Sequence, residues 1–198
     1  MKFSYREKKD LFNAGILLSL AFAFLLGGGF NSLLNFNLNF LIVFVIAIFT
    51  AGLGFLLHEL MHKYVAQSYG LFAEFKAFYN MLWLAVGLSL LGFIIAAPGA
   101  VMISGRVTKE RNGKISLAGP MTNIVLALIF LILILIFNTE GIFKYFLGFG
   151  LTINSLLAGF NMIPIMPFDG AKIIQWNKII YTLTTITAVG LFIISFIV

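Results

Sequence analysis

The sequence predicts an all-α polytopic membrane protein of about five transmembrane helices, with a short strand or re-entrant region between the second and third spans. Three observations carry this. The chain is 61% hydrophobic and only 10% charged, whereas a soluble domain is about half apolar and about a quarter charged. Its apolar residues fall in runs near the roughly 20 needed to cross a hydrocarbon core. Its basic residues sit in short blocks between those runs, a pattern that marks membrane topology.

The first apolar run, 11–30, is long enough to span, and Gly27-Gly28-Gly29 loosens its far end. The uncharged, asparagine-rich stretch 31–39 reads as a polar turn. Residues 40–67 form the second helix, with Gly70 as its expected C-cap. Residues 71–105 are different. Phe75, Ala77 and Tyr79 alternate with Lys76, Phe78 and Asn80, a period-2 pattern that suits a short strand. The apolar run 82–93 has a length that suits a re-entrant helix better than a full crossing. Residues 94–104 hold Pro98-Gly99 and the β-prone Val101-Met102-Ile103, so they read as extended. Backbone without helical bonding survives at membrane depth only where protein or a water-filled cavity satisfies it, so this region is expected to line an active site.

The charged loop 106–114 precedes a span at 115–137, entered through Ala118-Gly119-Pro120 and Asn123. A turn at 138–144, a span at 145–162, a break at 161–170 with two prolines, and a final span at 179–198 complete the chain. With 82–93 not crossing and the N-terminus cytoplasmic, every basic residue but Lys144 falls on the cytoplasmic side, as the positive-inside rule requires. The expected location is therefore an integral, multi-pass membrane protein with its N-terminus toward the cytoplasm. The net charge of +6 is dispersed among these blocks and gives no nucleic-acid surface. Without cysteine, neither a disulfide nor a thiolate ligand is available. Residues 1–198 read as a single membrane domain, and no appended regulatory domain is expected.

The chemistry concentrates on His58-Glu59-Leu60-Met61-His62, which holds both histidines of the chain and ends the second apolar run. On a helix, residues four apart share a face, about 6 Å apart at Cβ. Two imidazoles at that spacing can converge on one zinc ion, with Glu59 beside them as general base. Catalytic zinc usually has three protein ligands and an open place for water, so a third is needed. Glu7 and Asp10 lie in the N-terminal tail, Glu110 lies among charges, and Glu140 is in a turn on the far side. Asp169 remains as first candidate, freed by the preceding prolines and expected near the cytoplasmic face with both histidines; Glu74 is second.

The histidine motif on a membrane helix resembles the zinc motif of the site-2 protease family of intramembrane metalloproteases. Asn161-x-x-Pro164-x-x-Pro167-x-Asp169-Gly170 is similar to that family's second motif, and Ala118-Gly119-Pro120-x-x-Asn123 to a third feature between them. All three occur in the expected order, across roughly 40–170. Ala171 stands where the family often has a second glycine, and Met61 is bulkier than the residue common between the histidines. The resemblance implies a Zn2+-dependent endopeptidase acting in regulated intramembrane proteolysis, with a transmembrane protein as substrate and the bilayer as its setting. It further implies His58, His62 and Asp169 as metal ligands, Glu59 as catalytic base, and Asn161 as a donor to the oxyanion or the substrate backbone. A helical substrate must unwind before cleavage, and the extended segment 94–103 could then pair with it by strand addition. The same ligands would suit a metal-binding transporter or a non-catalytic binder of membrane helices. Glu59 separates these readings, because hydrolysis needs a base and transport does not.

Overall fold

The computed structural model describes residues 1–34, 37–94, 98–137 and 140–198. Among them, four helices are long and apolar enough to cross a membrane: Tyr5–Leu26, Leu38–Ser68, Lys109–Ile136 and Gly141–Asn161. The fifth expected span corresponds to Lys178–Ile194, a helix of 17 residues. At 1.5 Å per residue it is about 25 Å long, somewhat short of the hydrocarbon thickness of about 30 Å. Large apolar side chains such as Ile132, Leu135 and Ile136 lie exposed on the third of the long helices, as lipid-facing residues do.

The chain forms two compact units. The first to be described runs from Lys2 to Leu56 and from Glu74 to Met102. Its helix α1 (Tyr5–Leu26) is capped by Ser4, whose hydroxyl accepts from the Glu7 N–H. The helix ends where Gly28 and Gly29 take positive φ, so the triple glycine acts as expected. A short α2 (Phe30–Leu34) follows; residues 35–36 of the expected polar turn lie outside the described residues. Then comes α3 (Leu38–Ala47), capped by the Asn37 side chain, and one π-helical turn, Ile48–Gly52. Small residues let α1 and this turn approach closely. A Cβ on Gly52 would strike the Ser19 hydroxyl, and one on Gly15 would press on Leu56.

Strand β1 (Phe72–Ala77) and strand β2 (Gly99–Ser104) form a two-stranded sheet, with α5 (Tyr79–Leu90) between them in sequence. The period-2 signal and the short apolar helix were thus legible; residues 95–97 of the extended segment lie outside the described residues. The Phe78 N–H donates to the Pro98 carbonyl at 3.1 Å, so the end of β1 lies beside the start of β2. By alternation, the odd-numbered N–H groups of β1 face away from β2. Two carboxylates of α1 receive them. Glu7 Oε1 accepts from Phe75 N at 2.8 Å, and Asp10 Oδ2 accepts from Ala77 N at 3.2 Å. Asp10 Oδ1 also takes the Tyr79 hydroxyl at 2.8 Å. Both carboxylates are buried. They are structural caps that stand in for a third strand, not members of a loose charged tail.

The other unit holds Leu57–Ala73 and Ile103–Val198. Here the second long helix continues as α4 (Leu53–Ser68) and ends at Gly70, with φ +73°, as its sequence position suggested. Helix α6 (Lys109–Ile136) starts earlier than expected because the Thr108 hydroxyl accepts from the Arg111 N–H and caps it. Gly119-Pro120 therefore lies inside the helix instead of opening it. Helix α7 (Gly141–Asn161) follows; residues 138–139 of the turn before it lie outside the described residues. A Cβ on Gly150 would overlap the Phe130 ring, so this glycine lets α6 and α7 pack around Ile124, Ala127, Leu147 and Leu151. Residues 162–168 form an irregular link, its ends marked by the edge-to-face rings of Phe160 and Phe168, 4.9 Å apart. Helix α8 (Asp169–Trp176) and helix α9 (Lys178–Ile194) complete the unit.

Candidate metal centre

The centre lies wholly within the second unit. His58, Glu59 and His62 are buried on α4. Each offers a ligand atom, all within 4.8 Å of one another. The two rings stand edge to face, with centroids 4.6 Å apart.

The ring tautomers follow from their partners. His58 Nδ1 lies 2.5 Å from the Asn123 side-chain oxygen, and His62 Nδ1 lies 2.7 Å from the Ile115 carbonyl. An amide oxygen can only accept, so each Nδ1 carries its proton and donates. Both Nε2 atoms are then left to present lone pairs, and both face one atom. Asp169 Oδ2 lies 3.4 Å from His58 Nε2 and 3.0 Å from His62 Nε2. Three electron-pair donors converging in a buried place require a cation among them. A proton between His62 and Asp169 answers part of that demand; a divalent ion answers all of it. The donor set of two imidazoles and one carboxylate is that of a catalytic zinc site. Burial opposes ionisation of Asp169. The positive charge that His62 carries when protonated acts the other way and holds the carboxyl far below the usual carboxylate range.

Space for an ion is made by Gly119. A methyl group at its Cα would collide with Nε2 of both His62 and His58. Gly170 has a matching role beneath the third ligand, because a Cβ there would strike the backbone of Met162 and Ile163. The Asp-Gly pair thus lets α8 begin hard against the preceding link.

Asp169 is the carboxylate brought to the imidazoles. Glu74, the second candidate, accepts from the Ser4 hydroxyl in the other unit. Asn161 ends α7, and its amide nitrogen donates to the Leu157 carbonyl of its own helix at 2.9 Å. Three residues gain roles the sequence did not disclose. Asn123, read as part of a helix-opening motif, contacts a ligand. Asn154, fully buried on α7, accepts from the Asn123 amide at 3.1 Å. Lys172, counted in the sequence only among the cytoplasmic basic residues, puts its ammonium 3.6 Å from Asp169 Oδ1, the carboxylate oxygen turned away from the imidazoles. The three-residue spacing of Asp169 and Lys172 on one helix was the available signal.

No family model matches the chain, and no solved structure does. Named relatives do. "Putative zinc metalloprotease MJ0611" of Methanocaldococcus jannaschii is 45% identical over 192 residues, covering 96% of this chain and 94% of that protein. "Zinc metalloprotease MJ0392" of the same organism is 29% identical over 73% of this chain and 36% of its own length. "Putative zinc metalloprotease YwhC" of Bacillus subtilis is 26% identical over 65% of this chain and 67% of its own. A likeness running nearly end to end, in a chain whose two histidines and one distant aspartate already meet as a zinc donor set, places this protein in the zinc metalloprotease family of these relatives.

Proposed function

We propose that the protein is an intramembrane endopeptidase of the site-2 protease type, which cleaves transmembrane segments of other membrane proteins. The observation that carries this is the position of the metal-binding residues. His58, Glu59 and His62 lie on a 31-residue helix whose most apolar window has a mean hydropathy of 2.8. Ionisable groups in such a segment are costly and are retained for function. A peptidase with its centre there reaches substrate bonds within the bilayer.

His58, His62 and Asp169 would hold the zinc, which would supply Lewis acidity toward a carbonyl and a water activated at neutral pH. Glu59 is the base: it accepts the proton of the attacking water and delivers it to the leaving amine, so the peptide bond is hydrolysed with no covalent enzyme intermediate. Lys172 holds the outer oxygen of Asp169. Asn161 is the candidate donor to the oxyanion or the substrate backbone; such a donor contributes about 3 kcal/mol in the transition state. The unwound substrate pairs with the outer edge of β2. The other edge of the sheet supports this choice, since its N–H groups at Phe75 and Ala77 are already taken by Glu7 and Asp10. The partners are thus a transmembrane protein and the lipid bilayer, and the distribution of lysine and arginine favours a cytoplasm-facing centre and N-terminus.

The test is cleavage of a single-span substrate in liposomes by the zinc-loaded protein and by Glu59→Gln. The wild type is expected to cut within the apolar segment, and Glu59→Gln to bind zinc equally while losing at least about 100-fold in rate. A cut confined to the soluble flanks, or undiminished activity in Glu59→Gln, would overturn the proposal. Val101→Pro removes one outward N–H of β2 without touching its bonds to β1; unchanged cleavage in that variant would remove the strand-pairing step.

A further inference from the structure

Most second-neighbour contacts of a metal site end in solvent or on a backbone group. The one behind His58 does neither directly, and its polarity can be followed atom by atom. The Gly150 carbonyl, an acceptor only, takes a hydrogen bond from Asn154 Nδ2 at 2.9 Å. That contact fixes which end of the Asn154 amide is nitrogen and turns its oxygen toward α6. Asn154 Oδ1 accepts from Asn123 Nδ2 at 3.1 Å, which fixes the Asn123 amide in turn. Asn123 Oδ1 then faces His58 Nδ1 at 2.5 Å. Each amide could be turned over without changing its shape, but a flip of Asn123 would present N–H to N–H at His58, and a flip of Asn154 would present N–H to N–H at Asn123. Asn123 and Asn154 are both fully buried, so water offers no substitute partner.

We infer that Asn123 and Asn154 are positioning residues that relay the polarity of the Gly150 carbonyl to His58, locking its proton on Nδ1 and its lone pair on Nε2 toward the metal. His62 reaches the same state in one step, from the Ile115 carbonyl. The difference has a cause in the fold. His62 Nδ1 lies against a backbone carbonyl of α6 itself, at 2.7 Å, so no side chain is needed between them. The carbonyl behind His58 lies one helix further away, on α7, and two side chains bridge the gap. The inference rests on the zinc reading of the site.

The test is zinc affinity, measured by competition with a chromogenic chelator on the whole protein in detergent, together with the visible spectrum of the cobalt-substituted protein. Asn123→Leu is expected to weaken zinc about 10- to 100-fold, the usual cost of losing an outer partner of a ligating histidine. Asn154→Leu removes the oxygen that accepts from Asn123 Nδ2 at 3.1 Å and is expected to weaken zinc several-fold. The double variant should be no weaker than Asn123→Leu, because both act along one path. Asn123→Asp keeps an oxygen at His58 whichever way it turns, so it should recover affinity relative to Asn123→Leu. Ser155→Ala, next to Asn154 but bonded within its own helix, is the control and should bind as wild type does. In Asn154→Leu, the cobalt bands should change intensity or position while the zinc-free unfolding temperature stays within a few degrees of wild type.

Wild-type affinity and an unchanged cobalt spectrum in Asn154→Leu would overturn the relay while leaving the metalloprotease reading intact. So would a loss in Asn123→Asp as large as in Asn123→Leu. Failure of the wild type itself to bind zinc would instead overturn the reading of the site. If Asn123→Leu does not fold, Asn154→Leu and Asn123→Asp still decide the question.

Discussion

Gly119 on α6 faces His62 on α4 so closely that a side chain as small as a methyl group would occupy the space of the ring's Nε2. The metal centre is therefore bounded on one side by backbone. Gly119→Ala is expected to abolish zinc binding and cleavage together, because the methyl would take the ion's place and no long side chain can swing clear. Gly148→Ala makes the same change on α7 at a position with open space around it and should leave both unchanged. Metal content of the two purified variants, read beside their cleavage rates, checks the expectation.

Asp169 enters the centre only because α8 is seated tightly. Gly170→Ala would push against the backbone of Met162 and Ile163, and Gly113→Ala on α6 would push against Trp176 at the far end of α8. Both variants should lower zinc affinity without touching a ligand. The loss should be larger for Gly170→Ala, whose clash is with backbone beside the ligand itself. Chelator competition on each variant would show it.

Lys172 sits 3.6 Å from Asp169 Oδ1 and is only partly exposed. Replacement by methionine keeps the packing of its stem and removes the charge. The expected result is a loss of a few-fold in zinc affinity, partly restored by Lys172→Arg. Equal affinity in all three proteins would show that this ammonium is a solvent-screened bystander.

Metal removal should also be visible in stability. A ligand that binds only the folded protein stabilises it by about 2.7 kcal/mol at 100 times its dissociation constant. Chelation is expected to lower the unfolding temperature of the wild type by several degrees and to abolish activity, with both restored by zinc. Asp169→Ala, lacking one ligand, should show little response to either treatment.

The carboxylates of α1 make a prediction remote from catalysis. Glu7→Leu leaves the buried Phe75 N–H without the Glu7 carboxylate as acceptor, and Asp10→Leu removes an acceptor of both the Ala77 N–H and the Tyr79 hydroxyl. An orphaned buried donor costs about 1–3 kcal/mol. Glu7→Leu should be the more destabilising, because Phe75 is buried while Ala77 is half-buried and the Tyr79 side chain is exposed to water, and Glu7→Gln should be milder than Glu7→Leu because it keeps an oxygen. Thermal unfolding in detergent would rank them.

What the sequence determined by itself was everything governed by short-range rules. Hydropathy marked the long spans because lipid tolerates little else. Period-2 alternation marked β1, and the i, i+4 spacing put His58 and His62 on one face because helix geometry allows no other outcome. The end of α4 at Gly70 and the break between Asn161 and Asp169 followed from glycine and proline chemistry. It also singled out Asp169, by eliminating the other carboxylates and by the resemblance of the motif around it. Only the tertiary structure decided the rest. Pro120 sits within α6 because a Thr108 cap three turns earlier had already started the helix. Glu7 and Asp10 became sheet caps because β1 needed acceptors that no third strand among the described residues supplied. His58 and Asn123 lie 65 residues apart in the chain and Asn123 and Asn154 lie 31 apart, and nothing local signals that their amides would align behind His58. A hydrogen-bond relay has no periodicity; it exists only once α4, α6 and α7 have packed, and packing is where a linear pattern stops being informative.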